Sequence, residues 1–181
     1  MNLVFDAFAK APRRVLAAIC AACVAMLAFG IYLQAVVGLE PCPMCIVQRY
    51  AFILVAIVAG VGAALRGRGA HAAAGGLIVL LSGFGAFVAA RQSWLQWYPP
   101  EVASCGRDFY GMIENFPLKR AIPMIFRGSG DCTKVDWTFL SLSIANWAFL
   151  VFCALVVVGG FIAVKRWGAR TPAYGTRAAN A

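Results

Sequence analysis

The residues able to do covalent chemistry here are cysteines. The chain carries seven, with one histidine, His71. So little imidazole argues against haem, zinc or copper sites, and no metal site is expected. Two cysteine pairs stand out. Cys42-Pro-Met-Cys45 is a Cys-x-x-Cys motif, and Cys105 and Cys132 lie further along in a polar stretch. Cysteines in such settings exchange disulfides by thiolate attack. The first pair reads as the start of a helix, with Cys42 as the cap, Pro43 at the first helical position and Cys45 in the first turn. A helix start offers unpaired N–H groups and partial positive charge, which favour a thiolate. Arg49 follows Cys45 by four residues and so shares its helix face. An arginine at that depth either snorkels to lipid phosphate or holds a polar cofactor group beside the thiolate, with Gln48 assisting.

The elements that position these residues are apolar. The chain is 62% hydrophobic and 13% charged, with a net charge of +9. A soluble domain carries about twice that share of charge. The apolar residues fall in blocks at about 15–33, 46–65, 72–90 and 143–164, each near the ~20 residues that cross a bilayer core. These blocks predict an all-α membrane protein, a four-transmembrane-helix bundle spanning residues 1–165 as one domain. The first block is too long for a signal-peptide core and reads as a retained span. Gly60, Gly62, Gly75, Gly76, Gly83 and Gly85 read as close-packing positions between helices. Cys20 and Cys23, a second Cys-x-x-Cys, lie inside the first block, and Cys153 in the fourth. All three read as small apolar packing residues. The segment 166–181 reads as a disordered tail.

Charge sets the orientation. Lys10, Arg13 and Arg14, then Arg66 and Arg68, then Lys165, Arg166, Arg170 and Arg177 all fall on one side, against Asp6 alone. The loops at about 34–45 and 91–142 fall on the other side, and the long one is nearly neutral. By the positive-inside rule both termini are cytoplasmic. His71 reads as a solvated residue of the cytoplasmic turn. The basic charge therefore reports topology, and nucleic-acid binding is not expected. The long loop begins with Trp94, Trp97 and Tyr98, an interfacial belt. Its later apolar residues predict a short helix lying on the bilayer surface. Cys105 and Cys132 within it are either a brace, contributing roughly 3–4 kcal/mol if paired, or a mobile disulfide offered to a soluble protein.

The stretch Glu-Pro-Cys-Pro-Met-Cys-Ile-Val-Gln-Arg at 40–49 is joined by Trp-Leu-Gln-Trp-Tyr-Pro at 94–99, Ser-Cys at 104–105 and Gly-Ser-Gly-Asp-Cys at 128–132. Together with four spans, this combination resembles the DsbB family of the bacterial inner membrane, over about residues 10–165. The resemblance implies an enzyme that reoxidises a DsbA-type periplasmic thioredoxin-fold partner and passes the electrons to membrane quinone, ubiquinone or menaquinone. It implies that Cys105 forms the mixed disulfide with the partner. Cys132 would then exchange with Cys42, Cys45 would face quinone, and Arg49 would support the quinone site. Some members carry a histidine near the end of the third span. Here the stretch is Arg91-Gln92-Ser93, so that role is not carried over, and Arg91 is left as a second polar anchor. The resting pairing stays open between Cys42–Cys45 with Cys105–Cys132 and a Cys42–Cys132 bond. Two other readings compete: an outward thiol reductase using Cys20 and Cys23, and a membrane scaffold with structural disulfides.

Overall fold

The computed structural model describes residues 11–39, 41–99, 135 and 137–168. Cys105, Cys132, the expected surface helix and the end of the tail lie outside the described residues. Four helices long and apolar enough to cross a membrane dominate the rest: α1 (Pro12–Val36), α2 (Pro43–Ala64), α3 (Arg68–Trp97) and α4 (Ile144–Gly168). The protein is a multi-pass membrane protein with the four-helix architecture expected of its apolar blocks. α4 runs on through Gly168 and so takes in the first residues of the expected tail.

Local sequence sets the helix ends. Pro12 and Pro43 open α1 and α2, where a missing N–H costs nothing. Tight connections follow α1 and α2, and Gly38 and Gly67 supply the positive φ these need, at +76° and +145°. Short connections make chain neighbours antiparallel. The extensive contacts accordingly run α1–α2, α2–α3 and α3–α4. α1 and α4 flank a cavity instead of packing closely on each other.

The bundle is apolar at its core and on its outer surface. Leu16, Val55, Ile78, Val88 and Phe152 are fully buried, and the Phe52 and Phe152 rings stack at 4.1 Å. Outward-facing Ile57, Leu80, Phe87, Val157 and Val164 are all more than half exposed. A girdle of that size suits lipid rather than water. The glycine expectation divides. A Cβ on Gly75 would meet the backbone of Gly159 and Ala163 at 2.8 Å, and one on Gly85 would meet the Phe152 ring at 2.5 Å. Gly62 is similarly crowded, whereas Gly76 and Gly83 have nothing within 4 Å and are not packing positions. His71, expected in solvent, is instead buried at 6% exposure, because the start of α3 lies against the start of α1.

One element was not anticipated. Thr138–Phe139 and Leu142–Ser143 form a two-stranded antiparallel hairpin just before α4. Its turn residues Leu140 and Ser141 have φ of 52° and 64°, the left-handed pair a tight hairpin needs. Trp147 Nε1 donates to the Phe139 carbonyl at 3.1 Å, tying the hairpin to α4. Ser143 then caps α4, accepting from Asn146 N at 3.4 Å.

Candidate active site: a cysteine pair at a helix start

The Cys-x-x-Cys folds as its residues predict. Cys42 is the N-cap of α2 in extended conformation, and its sulfur accepts from the Cys45 backbone N–H at 3.3 Å. Cys45 N belongs to the unpaired set at a helix start, so a sulfur takes the place that a serine oxygen usually fills. The two sulfurs lie 2.8 Å apart, placed for disulfide formation. Cys42 is buried and Cys45 half-buried.

A third helix completes the polar surroundings. Gln92 of α3 is buried, and its Nε2 donates to Cys42 Sγ at 3.3 Å and to Cys45 Sγ at 3.2 Å. Gln48 Nε2 donates to Gln92 Oε1 at 2.7 Å. Gln48, expected beside a cofactor, also lines the cavity described below. Arg91, the expected second anchor, does not line the cavity, because its neighbour Gln92 occupies the inward face of α3. Gln92 was thus missed as a site residue. Its signal was a pair of glutamines, Gln92 and Gln96, four apart at the end of an apolar span and so on one face.

Arg49 reaches sideways to α1. It donates to Gln34 Oε1 at 2.7 Å and to the Gly30 carbonyl at 3.1 Å, both on α1. A side chain at Gly30 would approach the guanidinium, with Cβ 3.7 Å from it. Arg49 therefore lies against α1, one turn deeper than Cys45, with the cavity at its side.

That cavity has a volume of about 580 Å³. Its floor is α2, with Cys42, Cys45, Gln48, Arg49 and Phe52. Its walls are Met26, Phe29 and Leu33 of α1 and Ala145, Trp147 and Val151 of α4. Trp137 and Phe139 roof it, and Trp137 meets Phe29 edge-on at 5.7 Å. Ser143 Oγ donates to Gln96 Oε1 at 2.7 Å at the same rim. The lining is apolar apart from a few converging polar groups, the usual make-up of a small-molecule site. A flat, lipid-soluble molecule with polar carbonyl edges fits it: apolar walls for the body, and Arg49 and the amides for the edge.

A bundle of four membrane helices holding a vicinal cysteine pair at its rim defines a membrane thiol–disulfide protein. The comparisons agree. The family described as disulfide bond formation protein DsbB matches residues 12–162. Disulfide bond formation protein B of a Polaromonas species is 76% identical over 155 residues, covering 86% of this chain and 90% of its own. The proteins of that name from Paracidovorax citrulli and Polaromonas naphthalenivorans are 73% and 71% identical, over 82% and 80% of this chain and 85% and 87% of theirs. The chain belongs to the DsbB family, and its chemistry is disulfide bond formation.

Proposed function

We propose that this protein is a quinone-dependent thiol oxidase of the bacterial inner membrane that regenerates a DsbA-type soluble oxidant. Supporting this most directly is the apolar cavity that opens onto the sulfurs of Cys42 and Cys45 beside Arg49. Charge asymmetry supports cytoplasmic termini and a periplasmic redox end.

In this reading Cys105, bonded to Cys132 in a loop disulfide, is the sulfur that is attacked. The partner's thiolate forms a mixed disulfide with Cys105 and displaces Cys132. The partner's second thiolate then attacks the mixed disulfide, which completes the partner's disulfide and releases the Cys105 thiolate. Cys132 and Cys105 are reoxidised by exchange with Cys42, which leaves Cys42 and Cys45 as the reduced pair. Each exchange breaks one S–S bond and makes another, so two electrons and two protons arrive at Cys42 and Cys45. Quinone, whether ubiquinone or menaquinone, supplies the acceptor for both. Arg49 and Gln48 would hold it at the Cys45 end, and Phe52, Met26 and Val151 would exclude water. The driving force is consistent: a soluble oxidant near −120 mV needs a stronger acceptor behind it.

The test is quinone reduction by purified protein supplied with a reduced thioredoxin-fold partner, read by quinone absorbance. Electron flow is expected with the intact chain and is lost in Cys105→Ser and Cys45→Ser. Flow that persists in either variant overturns the assigned route.

A further inference from the structure

The amide of Gln92 does something its neighbours cannot. A carboxamide nitrogen has two N–H bonds, and here one goes to each sulfur of the pair. Its oxygen has a single described partner, Gln48 Nε2, at 2.7 Å. An amide can be turned about so that its oxygen faces the sulfurs, and an oxygen facing a thiolate repels it. The donor nitrogen of Gln48 opposes that turn. With Gln48 donating, the oxygen of Gln92 is held away from the pair and its nitrogen faces it.

We propose that Gln48 and Gln92 form a directional amide relay that favours the reduced, thiolate form of the Cys42/Cys45 pair, Gln92 as the donor to both sulfurs and Gln48 as the positioning residue that fixes its orientation. The proposal rests on the reading of Cys42/Cys45 as the redox pair. A neutral disulfide sulfur is a poor acceptor, whereas hydrogen bonds to an ionised acceptor are roughly twice as strong as neutral ones. The relay therefore stabilises the reduced state more than the oxidised one, which makes the pair more oxidising. It serves whichever sulfur carries the charge, so it acts through both halves of an exchange at Cys42 and an electron transfer from Cys45. Among the described residues lining the cavity, Arg49 is the charged group near the pair. It bonds α1, while the donor to the sulfurs comes from α3.

The relay predicts non-additivity. The reduction potential of the Cys42/Cys45 pair is measured in the full-length protein by equilibration with a glutathione or dithiothreitol buffer, with neither quinone nor partner present. Gln92→Met removes the donor nitrogen and shifts the thiol–disulfide equilibrium about tenfold toward the disulfide, about 30 mV. Gln48→Met leaves the donors in place but lets the amide turn, and shifts it about threefold in the same direction. The double variant is expected to match Gln92→Met alone, since Gln48 acts only through Gln92. The rate of iodoacetamide alkylation of the reduced pair at neutral pH falls in the same order. Methionine keeps the side-chain length at both positions, and mass spectrometry of the alkylated peptides confirms that the folded pair is read. An unchanged potential in Gln92→Met overturns the relay, as do independent, additive shifts. Because no quinone takes part, loss of the quinone reading leaves this outcome untouched, and a failed relay leaves quinone reduction to be judged separately.

Discussion

The molecule contains two Cys-x-x-Cys motifs with the same spacing and opposite settings. Cys42 and Cys45 sit where α2 begins. Cys20 and Cys23 sit in the middle of α1, whose backbone N–H groups are spent on its own helical ladder. Cys42 takes a backbone N–H, both sulfurs take an amide donor, and a cavity lies alongside. Cys23 is 1% exposed among Leu16, Ile19 and the other core residues, and Cys20 lies against Gly60 of α2. Spacing alone therefore confers no redox role. The start of a helix, a neighbouring donor and access for an acceptor do.

This contrast can be broken by substitution. The largest effect is expected at the helix start: Cys45→Ala should lower quinone-linked turnover by about a thousandfold or more, as loss of a covalent catalytic group does. A variant that keeps turnover would erase the distinction between the motifs. Next, Arg49→Ala should raise the quinone KM by about tenfold, equivalent to ~1.4 kcal/mol, with a smaller change in exchange with a reduced partner. Equal losses in both would assign Arg49 to bracing α1 alone. The smallest effect belongs to α1. Cys20→Ala and Cys23→Ala should leave turnover within about twofold, and Cys23→Ala should cost about 1 kcal/mol of stability from its buried site. Thermal unfolding in detergent reads that cost, and a turnover collapse without unfolding would return the α1 pair to the chemistry.

Much of this was legible in the order of residues. Runs of apolar residues long enough to span a bilayer compel helices, because lipid offers backbone groups no other partner. Pro43 after Cys42 marks a helix start whatever surrounds it, and four-residue spacing places Arg49 on the face of Cys45. The hairpin before α4 was less legible, since Leu140 and Ser141 are not the residues that usually accept positive φ. Gly75 and Gly76 look alike in sequence, yet only the first faces α4.

The sequence by itself determined the cysteine pair, its helix cap and the arginine one turn below. All of these follow from local backbone geometry, where a few residues set the outcome. Only the tertiary structure decided what surrounds the pair. Gln92 is fifty residues from Cys42, and its inward orientation over Arg91 depends on how α3 is rotated against α2. The same holds for the cavity, which exists because α1 and α4 stand apart. Rotation and spacing of helices are set by side-chain packing across the whole bundle, and no short stretch of sequence contains that information.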